Sequence, residues 1–214
     1  MTAALFADRT AAGRALAAQV RVREPHARAV LGLPRGGVPV AAEVAAGLGA
    51  PLDVLVVRKL GVPGHPELAM GAIATGGVRV MNDELVRSLD LAPAAVDDVV
   101  RAELRELERR ELAYRGDRPP LDVAGRTVVV VDDGLATGAT VLAAVQAVRA
   151  RGAGRVVVAV PVGAPDACRR VAAVADDVVC LHAPDGFGAV GAHYDDFRQT
   201  TDEQVQSLLG RGAA

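Results

Sequence analysis

Val128-Val129-Val130-Val131-Asp132-Asp133-Gly134-Leu135-Ala136-Thr137-Gly138-Ala139-Thr140 is the stretch on which the reading of this chain turns. The four valines, with Thr127 before them, read as a strand buried on both faces, because β-branched apolar runs of this length suit the interior of a parallel sheet. The strand delivers two adjacent carboxylates to its carboxyl end. A loop of small residues follows, and a helix is expected from Gly138 to Arg151.

The same alternation continues outward. Upstream, Asp8 is placed to cap a helix over Arg9 to Arg23, with Ala12, Leu16, Ala17 and Val20 on one face. Ala29 to Leu33 reads as a short buried strand stopped by Pro34-Arg35-Gly36-Gly37, and Val38 to Leu48 as a helix closed by Gly49. Leu52 to Val57 reads as another buried strand, ending at Arg58-Lys59. The Gly- and Pro-rich stretch from Gly61 to Gly77 reads as a long loop with a short strand near Ala72 to Ala74, and long loops in compact domains are often lids. Asn82 to Arg115 is charge-rich and helical in pattern, with a solvated face and a second half beginning at Pro93. Downstream, strands at Arg155 to Val160 and Asp177 to Leu181 flank a helix over Pro165 to Ala175. A last helix is expected near Thr201 to Leu209. Strands alternating with helices imply an α/β fold, a doubly wound, mostly parallel sheet with helices on both faces. Ligands bind such sheets at the carboxyl ends of strands, where the strand order reverses.

The chemistry of the quoted stretch follows from its order. N–H groups at a helix N-terminus attract phosphate, Gly138 allows close backbone approach, and the Thr137 and Thr140 hydroxyls add hydrogen bonds. Asp132 and Asp133 would repel a phosphate, so they need another partner. Carboxylates accept hydrogen bonds from hydroxyls, and a vicinal diol is the natural match. A diol beside a phosphate describes ribose 5-phosphate.

The stretch resembles the 5-phosphoribosyl 1-pyrophosphate (PRPP) motif of type I phosphoribosyltransferases, at all thirteen positions. The ends of the chain, Asp8-Arg9 and Phe197 to Asp202, look like an uncharacterised bacterial branch of that superfamily. The resemblance implies one domain with a core over about residues 28–182, a lid over 60–77, a helical insertion over 82–118, and a hood formed by residues 183–214 with the N-terminal segment. It implies that Asp132 and Asp133 hold the ribose hydroxyls while Ala136, Thr137, Gly138, Ala139 and Thr140 hold the 5-phosphate. It places Arg35, Gly36 and Gly37 on pyrophosphate, with a cis peptide near Arg35-Gly36, and turns Arg58 and Lys59 toward the same group. Asp132, Asp133 and Lys59 are then the candidate catalytic residues. The hood would select a base, with Phe187 and Tyr194 as stacking rings. Family chemistry transfers the phosphoribosyl group to a nitrogenous base and releases pyrophosphate with Mg2+. The ion is carried on substrate oxygens, and no residue is assigned as a metal ligand. Members acting on 6-oxopurines carry an acid at the position of Ala136, so hypoxanthine and guanine are disfavoured. Homodimers are common among relatives and are the expectation by analogy. The alternative on the same fold is a non-catalytic sensor of PRPP or nucleotides.

Composition excludes several other classes. The net charge of -2, from 24 basic and 26 acidic residues, provides no field for nucleic acid. At 51% apolar but only 2% aromatic, the core must be built from Val, Leu and Ala, and Lys59 is the one lysine. Cys168 and Cys180 fit no zinc spacing and no disulfide framework, so they are expected as small buried hydrophobes in a reduced cytoplasm. The four histidines form no metal pattern. No window is apolar enough to span a bilayer, and the N-terminus lacks the features of a signal peptide. Gly186 to Gly191 is a literal G-x-G-x-x-G, but the residues after it open no helix pattern and no acidic residue follows a second strand, as a dinucleotide site requires.

Overall fold

The structure, a computed structural model, describes residues 4–211 of the 214. Residues 1–3 of the N-terminal stretch and 212–214 of the expected hood lie outside the described residues. The main sheet runs β2-β1-β6-β7-β8, formed by β1 (Ala29–Gly32), β2 (Leu52–Val54), β6 (Thr127–Val131), β7 (Arg155–Val162) and β8 (Asp177–His182). Every pairing within it is parallel.

The valines of β6 account for the two-sided architecture. Successive side chains of a strand point to opposite faces. Val128 and Val130 enter one cluster with Val141, Val145 and Val148 of α5 (Ala139–Ala150) and Ala167 and Val171 of α6 (Pro165–Ala172). Val129 and Val131 enter another with Leu16 and Val20 of α1 (Arg9–Arg23) and Val40 and Val44 of α2 (Gly37–Leu48). All four valines are fully buried, each stabilising by roughly 1.5–3 kcal/mol relative to exposure.

Two expectations for residues 52–77 are corrected. The strand expected over Leu52 to Val57 splits. Leu55 N–H still bonds Gly32 O, but Val56 already pairs with Thr75, and Val57 opens a second sheet. The expected loop is largely an antiparallel sheet of β3 (Val57–Val62), β4 (His65–Ala74) and β5 (Val78–Met81). Its glycines mislead because they occupy turns and a register shift. Gly64, Gly76 and Gly77 hold left-handed φ at strand junctions, and the register shifts at Gly61. Leu60, Val62, Met70 and Ile73 bury against Leu107 and Tyr114 of α4 (Pro93–Arg115) and Val205 and Leu209 of α7 (Asp202–Arg211). That burial outweighs the local turn propensity.

The charged stretch forms α3 (Asp83–Ser88) and α4. Arg115, at the end of α4, is an exception to its solvated face. Its Nε donates to Asp53 Oδ1 at 2.9 Å and its Nη2 to Val54 O at 2.9 Å, with both side chains nearly buried. The tail returns to the N-terminus. Leu5 and Phe6 N–H groups bond His193 O, and Asp195 and Asp196 N–H groups bond Phe6 O and Ala7 O. Thr201 and Gln204 form a reciprocal capping box at the head of α7. Among the described residues, no helix is long and apolar enough to cross a membrane.

Candidate active site

The chain leaves β1 toward β2 on one side and β6 pairs with β1 on the other, so the strand order reverses between β1 and β6. This is the topological switch point of the sheet. Their carboxyl ends carry the Leu33–Gly37 and Asp132–Gly138 loops. Leu33 N–H bonds Val131 O at 2.9 Å and Gly37 N–H bonds Leu33 O at 3.0 Å. Glycine is needed where the loops meet. A Cβ on Gly36 would overlap Asp133 Oδ2, and one on Gly37 would lie 2.8 Å from Asp132 Cα. The cis peptide falls at Pro34–Arg35, one bond before the expected place.

Asp132 and Asp133 are half-buried at the tip of β6. Burial and the neighbouring Asp133 push the Asp132 carboxyl well above the ordinary aspartate range. Burial also raises Asp133, against the opposing pull of Arg9. Arg9 Nε donates to Asp133 Oδ2 at 2.8 Å, and Asp133 N–H donates to Asp132 Oδ1 at 2.9 Å. Among the described residues, one oxygen on each acid, Oδ2 of Asp132 and Oδ1 of Asp133, is then left without a protein donor.

The turn that follows is tethered by Leu135, whose N–H bonds Val162 O and whose carbonyl accepts from Ala164 N–H. Gly134 abuts Val190, where an added Cβ would lie 2.6 Å from a side-chain methyl. Gly138 adopts φ +73° and opens α5, a conformation glycine takes at little cost. Among the described residues, the N–H groups of Ala136, Thr137, Gly138 and Thr140 have no backbone acceptor. They form an N-terminal nest suited to phosphate. Thr137 Oγ1 lies 3.4 Å from Ala139 N, and Arg170 of α6 donates to Thr137 O at 3.0 Å.

A cavity of about 550 Å³ opens between α5 and the β3–β5 sheet, lined by Lys59, Ala139, Thr140 and Asn82 among others. Lys59 therefore stands near the phosphate turn, with Nζ 3.3 Å from Glu67 O. Arg58 occupies the opposite face of β3 and pairs with Glu103 of α4 at 2.6 Å. The expectation that both basic residues turn to one group is corrected, because adjacent strand residues point apart. Arg35 reaches Asp202 at 3.5 Å and does not contact the acid pair.

The rings expected to stack on a base are core. Phe187 and Tyr194 are 7% and 5% exposed and cluster with Phe6. Tyr194 donates its hydroxyl to Asp133 O at 2.6 Å. Phe197, the more exposed ring, carries Arg9 at 3.9 Å from its centroid. Gly186 to Gly191 leads into the 3-10 turn Val190–His193, with no α-helix there. Cys168 and Cys180 are half-buried rather than buried. Arg9 and Arg170 join the site without having been expected there. Neither gives a local signal of these partners, which lie 124 positions from Arg9 and 33 from Arg170.

The profile described as "Phosphoribosyl transferase domain" matches residues 4–196. Rv0571c of Mycobacterium tuberculosis (strain ATCC 25618 / H37Rv), whose curated name assigns it provisionally to the phosphoribosyl transferases, is 56% identical over 207 residues. The match takes in 97% of this chain and 47% of that protein. The chain thus spans about half the length of the curated relatives it matches. The crystal structure of TT1426 from Thermus thermophilus superposes with a TM-score of 0.89 at 45% identity, covering 98% of this chain and 99% of that one. AQ2163 of Aquifex aeolicus, at 10% identity, shares the fold with a TM-score of 0.50, over 82% of this chain and 74% of that chain. With the profile covering the sheet, the acid pair and the phosphate turn, the chain belongs to the phosphoribosyl transferase domain family.

Proposed function

We propose that this chain transfers the 5-phosphoribosyl group of PRPP to a nitrogenous base and releases pyrophosphate. The observation that carries the reading is the meeting of the two switch-point loops. The acid pair with one unengaged oxygen on each carboxylate lies beside a phosphate nest, with the Gly36–Gly37 backbone packed against it. A vicinal diol supplies two donors for those two oxygens. The nest takes the 5-phosphate, and Lys59 approaches from the β3–β5 sheet. Positive charge develops on the ribose ring as its bond to pyrophosphate breaks. A nearby acid pair stabilises that charge electrostatically.

Among the described residues, no group of three His, Cys, Asp or Glu side chains is arranged to hold a metal ion. Mg2+ is often bound through substrate phosphates with few protein ligands, so the ion would arrive on the pyrophosphate of PRPP. When bound, the ion neutralises charge on the leaving pyrophosphate. The small side chain at Ala136 argues against a 6-oxopurine acceptor that needs an acid at that position. Burial of Phe187 and Tyr194 moves the base subsite away from those rings.

The test is to incubate the protein with PRPP, Mg2+ and a panel of bases and to measure pyrophosphate. Base-dependent release, abolished by Asp132→Asn, is the expected result. Binding of PRPP without release for any base would support the sensor instead. Absence of PRPP binding would remove both.

A further inference from the structure

We propose that Arg9 is a positioning residue for the acid pair, fixing the Asp133 carboxylate so that both aspartates present acceptors to a diol. This rests on the reading of the site given above. Arg9 is held in three directions. Its Nε donates to Asp133 Oδ2 at 2.8 Å, its Nη1 donates to Arg198 O at 2.8 Å, and its guanidinium lies 3.9 Å from the Phe197 ring centroid. The paired side chains of Arg9 and Asp133 are only 11% and 15% exposed. Asp8 accepts from Ala11 N–H at 2.7 Å, which fixes the helix start that carries Arg9. At the other end of Asp133, Tyr194 of the tail grips the backbone carbonyl. The two ends of the chain therefore meet on one residue of the site.

Other charges around this residue are committed elsewhere. Arg198 turns its guanidinium to Asp196, and Arg35 turns to Asp202. Asp132 adds a like charge from the next position, and Tyr194 faces Asp133 as a buried phenol. Arg9 is thus the guanidinium that opposes burial and like charge at the acid pair. Without it, two adjacent half-buried carboxylates would hold a shared proton to still higher pH. A protonated acid donates through its O–H and loses acceptor capacity. One arm of a diol would then meet a donor where it needs an acceptor.

The experiment compares wild type, Arg9→Gln and Arg9→Lys. PRPP with Mg2+ is titrated calorimetrically from about pH 6 to pH 9, a span that brackets ordinary side-chain shifts of a raised carboxyl. Arg9→Gln is expected to weaken PRPP by about tenfold near neutral pH, the effect of one pKa unit. Much of that loss should be recovered at the alkaline end, where the pair is ionised without help. Arg9→Lys should recover part of the affinity at neutral pH. Carboxyl NMR titration of the unliganded protein adds a readout independent of PRPP, with the Asp133 midpoint rising in Arg9→Gln. An unchanged Asp133 midpoint overturns the proposal whatever PRPP does. An affinity loss equal at every pH, or none, overturns it as well. If wild type does not bind PRPP but the Asp133 midpoint rises in Arg9→Gln, the functional reading fails while Arg9 stands as the organiser of the pair.

Discussion

Gly36→Ala probes the contact between the two loops, and the structure sets the sign of its effect in two backgrounds. Gly36 has φ -63° and ψ -34°, ordinary right-handed helical values. Alanine is therefore unstrained there and, through the unfolded state, would stabilise by roughly 0.4–1 kcal/mol if nothing else intervened. What intervenes is Asp133. The new Cβ would overlap its Oδ2 and lie 2.8 Å from its Cγ, while Arg9 Nε lies at 3.2 Å. The carboxylate must rotate, and the Arg9 hydrogen bond goes with it. A hydrogen bond to a charged group contributes about 1.5–3 kcal/mol. The net cost should be about 1–2 kcal/mol, a fall of about 2–8 °C in melting temperature for a chain of this size. In an Asp133→Ala background the obstacle is gone. There Gly36→Ala should be neutral or stabilising, so the double-mutant cycle should show a coupling of about 1–3 kcal/mol. Urea unfolding of the four proteins measures it. Equal costs in both backgrounds would refute the claim that glycine is held at this position by its contact with Asp133.

Asp132→Asn should raise the melting temperature at neutral pH while abolishing PRPP turnover. The Asp132 carboxyl is raised on folding, so the wild type loses stability as pH rises from the ordinary aspartate value of about 3.9 through the folded one. The gain from Asn should vanish below that ordinary value, where the acid is protonated in both states. Scanning calorimetry across pH checks both limbs. Arg115→Met should destabilise by about 3–5 kcal/mol, the cost of stranding one partner of a buried pair, because Asp53 would lose its guanidinium among buried neighbours. Restoring less than half of that loss by Asp53→Asn in the same chain would weaken this account. Cys180 should resist iodoacetamide at mildly alkaline pH in the folded protein. Burial and the nearby Cys168 push its thiol up to about 12, and the thiolate is the reactive form. Rapid alkylation detected by mass spectrometry would contradict it.

What is legible before folding is local. The strand, acids, small loop and helix of residues 127–151 form one continuous motif. Each residue type there has a role that follows from its immediate neighbours. The α1 boundaries are legible for the same reason, since Asp8 caps Ala11 three residues on. The β3–β5 sheet is not, because its glycines and prolines carry turn signals locally while the burial that makes it a sheet comes from α4 and α7. Arg58 and Lys59 show the same limit. Neighbours in sequence, they part across a strand once Val57 joins the second sheet, and only one reaches the cavity. Phe187 and Tyr194 read as open rings because the sequence does not reveal that Phe6 returns to cover them. Arg9 is the furthest case. Its bond to Asp133 spans 124 positions and its bond to Arg198 O spans 189. An arginine at the start of a helix offers no sign of such partners. The motif marks the acids, but the contacts Asp133 makes with Arg9 and Tyr194 come from residues far from it in sequence. Changes in residues 6–9 or 194–198 should perturb the acid pair as surely as changes within the motif itself.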